Sequence, residues 1–559
     1  MHQRAFSFRV AARQTTRTVW LVVAVWALLL ALWSVLPPPF VAADEPQHID
    51  LALDAVSIPL WEWVAPDSDH MGPEILAAEE QLGYYDQLSI DNPQTPLERR
   101  VDGRSGEEAV PRDQRLTFAD PGPSTGVGAG RINQMPQHPP LYYRLVALLL
   151  LVIPGWRDLP FDMVMGIMRM ISVLLVAPLP LLAAWTARGL GQRRGVETVA
   201  AIAVLTVPQI AHLGSVVTND SLLIVLGAAA TMLLAQVIGG DVSRRTALRI
   251  GVVVLAAMLT KSFGLLLPVG VVAAYLAAWR QGHGTAYDII RSVGVAAAVS
   301  ALASWWYVEN VVRFGSVQPS VGGPRDAVVS GPAAQFLDRA GETLLQTFWG
   351  GFGWAETGFD ATTATVLTII LLLLVVAGMW RRDSLHAATL LLPATLVVGI
   401  TFVQSYASFT PQGGIRGIAG RYFATGMMGV VVLAAIGLAR IIGRRHTDAQ
   451  RAPASASTSV SDTVAAGLLL VAAAVVQGLA WLVALRYFWT VGPDDSTIDA
   501  LRALLSWNPW PPRIVQIVAL LLVGSALGLG ISLLADARTA HKTGDGDSRP
   551  EEQHKYVPA

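Results

Sequence analysis

The sequence predicts an all-α polytopic membrane protein, and three observations support this. Of its 559 residues, 53% are hydrophobic and only 14% are charged, whereas soluble globular chains carry roughly 25% charged residues. The apolar residues form long runs such as Val19–Leu36, Val464–Leu485 and Ile514–Ala535, each near the roughly 20 residues that a helix needs to cross a bilayer. The net charge of -1 gives no basis for a nucleic-acid partner. The chain has no cysteine, which excludes disulfides, a thiol nucleophile and thiolate metal sites.

Arginine positions orient the predicted helices. Residues 1–18 carry several arginines ahead of the first apolar run, which we interpret as an uncleaved first span with a cytoplasmic N-terminus. The run Leu145–Ile153 is short for a span, and as a span it would place Arg188, Arg193 and Arg194 outside, against the positive-inside rule. We therefore predict that this run lies at the membrane interface. The arginine-rich loops that follow then all face the cytoplasm.

The sequence thus predicts a bundle of about 12 transmembrane helices with both termini inside. Lys261 separates two short runs, and joining them into one kinked helix would move every later arginine cluster outside. The predicted spans are 19–36, 163–187, 197–214, 218–238, 249–261, 263–279, 292–308, 362–380, 385–403, 422–440, 463–485 and 514–535. The chain divides into five parts. A cytoplasmic N-terminus (1–18) is followed by the main transmembrane module (19–440), whose long extracytoplasmic first loop covers 37–162. A cytoplasmic linker (441–462), two C-terminal helices (463–535) and a polar cytoplasmic tail of disordered composition (536–559) follow.

The first outer loop begins with a polar segment rich in Asp, Glu, Pro and Gly. Pro46 suits the first turn of a helix, so we predict a surface helix over Ile49–Ile58. Asp44 and His48 are four residues apart and would share one face of it. The sequence leaves two interpretations of Asp44 and Glu45 open. One of them caps this helix, or a carboxylate at the membrane boundary acts as a general base.

Further polar residues lie at the predicted outer interface. His138 precedes two prolines that hold it rigidly, and a solvated loop histidine is the alternative. Asn219 and Asp220 begin a span, where they serve either as helix caps or as site residues. Lys261 follows a mostly apolar run, which indicates either a functional charge or a side chain that snorkels to the interface.

A glycine-rich outer loop, residues 413–422, offers two arginines, Arg416 and Arg421, followed by Tyr422. Guanidinium groups bind phosphate oxygens through two parallel hydrogen bonds. Each of these signals is weak alone, but carboxylates, a histidine, a lysine and arginines all fall at the outer interface. A reaction on a lipid-linked anionic substrate would require that arrangement.

The order of these motifs resembles the type-C (GT-C) membrane glycosyltransferases. A carboxylate pair follows the first span, and the segments "PPLYY", "ND", "LTK" and "GRY" come after it in that order. The similarity is nearest to the bacterial branch of protein mannosyltransferases and the lipid A aminoarabinose transferase, and to related unassigned bacterial membrane proteins. Trp306–Asn310 and Arg313–Gly315 resemble the last group. The resemblance covers most of residues 19–440.

The resemblance implies a sugar donor carried on polyprenyl phosphate and a transfer on the outer face. It implies that Asp44, with Glu45 beside it, is the general base. A divalent metal, Mg²⁺ or Mn²⁺, stays open at Asp220, because only one carboxylate is present there. At His138 a histidine replaces the family's basic residue, so the charge at this position would depend on pH near the histidine reference pKa of about 6.5. The implied donor-phosphate residues are His138, Lys261, Arg416 and Arg421, and the further candidate site residues are His48, Asn219 and Tyr422.

We therefore expect a multi-pass glycosyltransferase of the bacterial plasma membrane, of the inverting type, with its active site on the extracytoplasmic face. Its acceptor would be an envelope glycan, a lipid or a protein. A transporter or flippase of lipid-linked saccharides would use the same cations, but it should show related halves and ionisable groups at the bilayer midplane. A non-catalytic protein of envelope assembly is the third interpretation.

Overall fold

The fold is that of an all-α polytopic membrane protein, as predicted. The computed structural model describes residues 8–59, 62–63, 70–82, 110–121, 130–319, 332–355, 357–380, 384–407, 409, 417–444, 459–490 and 494–546. Within these ranges, β pairing is limited to three isolated bridges. All of the predicted apolar runs are helical, and ten helices of the described part are long and apolar enough to cross a membrane. These are Arg17–Ser34, Phe161–Gly189, Asn219–Ile238, Ser262–Arg280, Ala286–Phe314, Ala361–Met379, Leu385–Ala407, Gly420–Gly443, Val460–Trp489 and Pro512–Thr539.

Two of the twelve predicted spans are shorter helical segments. The first is broken into Arg194–Ala203, Val204–Thr206 and Pro208–Leu213, because a proline lacks the N–H that would continue the helix and disfavours a helical residue before it. The second ends early, as the helix Arg244–Met258. Lys261 follows in an extended conformation (φ -159°, ψ 149°) before the next helical turn, so the predicted break at this residue is confirmed.

Each of these two short segments nevertheless runs between the level of one end of the helix Asn219–Ile238 and the level of its other end. At one end of that helix, Gln236 Nε2 donates to the carbonyl of Trp185, 3.1 Å away. At the other end, Lys261 Nζ lies 2.6 Å from Asp220 Oδ1. A helix of this length spans about 30 Å, so the chain crosses the bundle between Trp185 and Asn219, and crosses it again between Ile238 and Lys261.

The helix predicted in the first outer loop is present, and most of its residues are buried. The helix predicted over residues 49–58 runs over Glu45–Ser57, and a second helix runs over Pro73–Gln81. Leu141–Leu151 is an apolar helix of 11 residues, too short to cross a bilayer. The interfacial placement predicted for this run agrees with its length.

The two C-terminal helices pack tightly on the first span and on the segment that follows it. Trp33 Nε1 donates to Gln477 Oε1 at 3.0 Å, and Trp489 Nε1 donates to the carbonyl of Leu36 at 2.7 Å. The last helix, Pro512–Gly546, packs along Arg17–Ser34 and continues beyond the predicted boundary at residue 535. The tail is therefore helical for its first turns, and residues 547–559 lie outside the described part.

Candidate active site

Asp44 occupies a strained position at the start of the helix Glu45–Ser57. Its backbone is left-handed, with φ 60° and ψ 10°, a conformation that aspartate adopts more readily than most residues. The side chain makes no capping hydrogen bond to this helix. Instead, Oδ2 accepts from Arg421 Nη2 at 2.9 Å and Oδ1 accepts from Gln134 Nε2 at 3.2 Å. The capping interpretation of Asp44 is therefore wrong, because its carboxylate binds Arg421 and Gln134 rather than the backbone of its own helix.

A second ion pair lies beside the first. Lys261 Nζ is 2.6 Å from Asp220 Oδ1, and both side chains are almost fully buried. The ring of Tyr422 joins the two pairs, since its centroid lies 5.6 Å from Lys261 Nζ and 5.5 Å from Arg421 Cζ, within reach of a cation–π interaction. Lys261 therefore binds a buried carboxylate rather than snorkelling to water. We call Asp44, Arg421, Asp220, Lys261 and Tyr422 the charged cluster.

The local backbone explains how Lys261 reaches this cluster. Its extended conformation ends one helix and starts a 3₁₀ turn, Ser262–Leu266. That turn packs directly on the preceding helix, because a Cβ on Gly264 would lie 2.4 Å from the carbonyl carbon of Ala257. Only glycine fits so close an approach of two backbones. Arg421 and Tyr422 are presented in a similar way, by the 3₁₀ segment Gly420–Gly426, which packs against the helix that carries Asp220.

His48 lies one turn after Asp44 and is buried. Its Nδ1 is 2.9 Å from the hydroxyl of Tyr143, its Nε2 is 3.4 Å from Thr218 Oγ1, and the His48 and Tyr143 rings stack. Burial, and then the nearby charge of Lys261, lower the pKa of His48 from 6.5 to about 3. The imidazole is therefore neutral at physiological pH and acts as a hydrogen-bonding group.

His138 is also buried, and this corrects the charge expected of it. Burial, with the charge of Lys261 as the next cause, lowers the pKa of His138 well below 6.5, so the ring carries no charge that changes near that pH. Its Nδ1 has no hydrogen-bond partner among the described residues. His138 can thus offer a hydrogen bond to a ligand, but it does not add a positive charge for a phosphate.

Glu45 is not placed to act as a base. The side chain is 0% exposed, and Arg169 binds both of its oxygens, with Nε 2.8 Å from Oε1 and Nη2 2.6 Å from Oε2. The backbone N–H of Val217 donates to Oε1 as well. The two adjacent carboxylates therefore differ in role, and the assignment of Glu45 as a catalytic residue is corrected to a structural one.

Arg169 is a residue of this region that the motif analysis missed. It also donates to the carbonyls of Ser34, Pro37 and Pro38, so it holds the chain between the first span and Asp44. An arginine inside the apolar helix Phe161–Val176 was the available signal, because an ionisable residue in a membrane helix marks a partner or a function.

Asp220 does not fit a divalent metal ion. Its carboxylate pairs with the Lys261 ammonium, which supplies the positive charge that a metal would bring. Within the described residues, no group of three or more His, Asp or Glu side chains is arranged to hold a metal.

Asn219 and the arginines complete the candidate set. Thr218 Oγ1 accepts from the backbone N–H of Asp220 and so caps the helix that Asn219 begins. Asn219 is 0% exposed, and neither polar atom of its side chain has a partner in the described part of the chain. Arg421 Nε is likewise buried and unpartnered there. Arg416 lies outside the described residues.

The structure thus brings together residues from four distant parts of the sequence. Together, the fold and the charged cluster define a multi-pass α-helical membrane protein with a buried ionic site at one set of helix ends. Residues 27–430 match the family described as "Predicted membrane protein (DUF2142)". The chain belongs to this family. No curated protein matches the sequence.

Solved structures of two kinds of enzyme are similar to the chain. ArnT from Cupriavidus metallidurans bound to undecaprenyl phosphate is 14% identical, with 97% of this chain and 82% of that chain covered and a TM-score of 0.43. The apo state of the same ArnT is 15% identical, with 89% and 78% covered and a TM-score of 0.37. The Archaeoglobus fulgidus oligosaccharyltransferase in the apo form is 11% identical, with 83% and 60% covered and a TM-score of 0.38.

Proposed function

We propose that the protein is a GT-C-type glycosyltransferase that moves a sugar from a polyprenyl-phosphate donor to an acceptor on the extracytoplasmic face of the plasma membrane. The observation that carries this proposal is the charged cluster. It sets a base, Asp44, within hydrogen-bond distance of a guanidinium, Arg421, with a lysine close by. Sugar transfer from a phosphate needs these groups, namely a proton acceptor for the nucleophile and cations for the leaving group.

Arg421 has the capacity to bind a donor phosphate while it stays near Asp44. Its Nη2 donates to Asp44, whereas its buried Nε has no partner in the described part of the chain. A phosphate oxygen would satisfy that N–H. Each of the two cations pairs with one carboxylate here. When Asp44 takes a proton, the net charge of the cluster therefore rises by one, and the positive charge of Arg421 is then available to stabilise the departing phosphate.

The proposed reaction is a single inverting displacement. The acceptor hydroxyl gives its proton to Asp44, and its oxygen forms a bond to the anomeric carbon of the sugar. The bond between that carbon and the phosphate oxygen breaks, and the electron pair leaves with polyprenyl phosphate. Arg421 and Lys261 stabilise the charge that develops on the phosphate, and Tyr422 keeps the two cations in place.

The base is tested with Asp44→Asn in the purified full-length protein. Asparagine also tolerates a left-handed backbone, so the variant should fold normally. We expect turnover, measured as release of free polyprenyl phosphate from a panel of polyprenyl-phosphate sugars, to fall by about 10² to 10⁴. Asp54→Asn, on the same helix, is the matched control and should keep wild-type turnover.

Arg421→Lys tests the leaving-group contact. It keeps the charge but loses the planar fork. We expect the rate of transfer to fall more than donor affinity, because the contact strengthens in the transition state, and the exposed Arg313→Lys should change neither. If wild-type protein binds the donors but never releases polyprenyl phosphate with any acceptor, the transferase proposal is wrong and transport of the lipid-linked saccharide replaces it.

A further inference from the structure

Three buried polar atoms close to the charged cluster have no partner, and the reaction described above does not use them. They are Gln209 Oε1, His212 Nδ1 and Trp354 Nε1, each without a hydrogen-bond partner among the described residues. Gln209 is 5% exposed and His212 is 2% exposed. Buried polar groups are normally hydrogen-bonded, because leaving one of them unpaired destabilises the folded protein. Three such atoms in one region indicate a ligand that supplies the missing partners.

The three side chains come from two elements that touch each other. Gln209 and His212 are three residues apart on the short helix Pro208–Leu213 and so share one face of it. The loop that carries Trp354 docks on this helix, because Gln209 Nε2 donates to the carbonyl of Gly351 at 3.4 Å and the ring of Phe352 lies 5.5 Å from that of His212.

Both elements adjoin the charged cluster. The helix Pro208–Leu213 packs against the segment Gly420–Gly426, which carries Arg421, and the charges of Arg169 and Arg421 act on the His212 ring. The loop passes close to the chain that leads into Asp44, since a Cβ on Gly353 would lie 3.5 Å from the carbonyl oxygen of Val41.

We propose that Gln209, His212 and Trp354 form the subsite that binds the hydroxyl groups of the donor's sugar, next to the phosphate-binding cations. This inference rests on the proposed function for the identity of the donor.

The chemistry of the three groups favours a sugar over a phosphate. The Gln209 amide nitrogen is used by Gly351, which leaves its carbonyl oxygen as an acceptor, and the Trp354 indole can only donate. The His212 Nδ1 donates or accepts according to its tautomer. A phosphate oxygen accepts only and would leave the Gln209 oxygen unpaired. Sugar hydroxyls both donate and accept, so they can pair with all three groups, and the Trp354 ring offers an apolar face as well.

The experiment compares two lipid probes on the full-length protein in detergent. One probe is undecaprenyl phosphate, and the other is undecaprenyl phosphate carrying glucose, galactose, mannose or aminoarabinose. The ratio of their dissociation constants gives the affinity that the sugar adds, whether or not the sugar is transferred. We expect at least one sugar to bind wild-type protein more tightly than the bare lipid.

Gln209→Met and Trp354→Phe remove one polar group each and keep an apolar side chain. We expect each to reduce the added affinity by about three- to tenfold, the effect of one lost hydrogen bond, while binding of bare undecaprenyl phosphate stays at the wild-type value and shows that the site is folded. Gln516→Met on the last helix and Trp305→Phe on the helix Ser304–Phe314 change exposed side chains. They are the matched controls and should leave both constants unchanged.

Three results would overturn the subsite. If no sugar adds affinity in wild-type protein, these residues do not bind a donor sugar. If the two variants match wild type with both probes, water satisfies the three atoms. If both probes weaken equally, the residues shape the charged cluster instead of binding the sugar. The transferase proposal is tested separately, by release of polyprenyl phosphate. Absence of that release, with the sugar still adding affinity, would contradict the transferase proposal alone. Release of polyprenyl phosphate without any affinity added by the sugar would contradict the subsite alone.

Discussion

At the scale of single residues, the adjacent carboxylates of Asp44 and Glu45 differ because their surroundings differ. Asp44 shares its oxygens between Arg421 and Gln134 and retains some exposure, whereas Glu45 is fully buried and bound on both oxygens by Arg169. A carboxylate that accepts three strong hydrogen bonds in a buried ion pair stabilises the fold but is not free to take a proton. One residue of separation along a helix start is enough to produce this difference.

The Glu45–Arg169 pair can be tested as a positioning device for Asp44. Glu45→Gln leaves the Arg169 charge buried and uncompensated, so we expect a loss of about 3–5 kcal/mol in stability, measured as a lower Tm in detergent. The double variant Glu45→Leu/Arg169→Met removes both charges and should recover most of the Tm. Its turnover should still be low, because Arg169 then no longer holds the carbonyls of Ser34, Pro37 and Pro38 ahead of Asp44. Full turnover in the double variant would show that the pair serves stability alone.

At the scale of elements, the two C-terminal helices help to hold the segments that form the candidate site. They do so although they lie beyond the family match, which ends at residue 430. Gln477 bridges two other spans, since its Oε1 accepts from Trp33 Nε1 and its Nε2 donates to the carbonyl of Leu205. Trp489 holds the carbonyl of Leu36, in the segment that leads to Asp44. The C-terminal helices thus hold the same segment, residues 34–38, whose carbonyls also accept hydrogen bonds from Arg169.

Gln477→Leu should weaken this support. The change leaves the Trp33 N–H and the Leu205 carbonyl buried without partners, which costs about 1–3 kcal/mol for each group left unsatisfied. We expect a lower Tm in detergent than for the wild type. Gln516→Leu, at an exposed position of the last helix, is the matched control and should not change the Tm. Equal Tm values for the two variants would mean that the bridge adds nothing to stability.

At the scale of the whole molecule, the cluster itself supports the predicted twelve crossings. The first span ends, and the helices that carry Asp220, Lys261 and Arg421 begin or break, at one common level, because these residues contact one another. The segments 194–217 and 239–261 must therefore cross the bundle even though each is too short or too broken to be identified as a span by its helix length.

This topology predicts which residues a membrane-impermeant thiol reagent can reach in intact cells. Asp120→Cys should be labelled, because it is exposed on the first outer loop, and Arg245→Cys should not, because it is exposed at the opposite end of the bundle from Lys261. The chain contains no other cysteine, so the signal comes from the introduced residue alone. Labelling of Arg245→Cys from outside would contradict the twelve-span arrangement, and permeabilised cells provide the control that this cysteine can react.

Local patterns in the sequence predicted the membrane class, the helical runs, the break at Lys261 and most members of the charged cluster. Apolar run length and arginine placement are local properties of the chain, and they are set by the thickness and charge asymmetry of a membrane rather than by packing. The pairing of the charges became clear from the three-dimensional contacts alone. These contacts show that Asp44 binds Arg421 and does not cap its helix, that Glu45 is held by Arg169, and that His138 is buried and neutral. Which partner a side chain meets, and how far it is removed from water, depend on residues hundreds of positions apart, and no local pattern in the sequence records those distances.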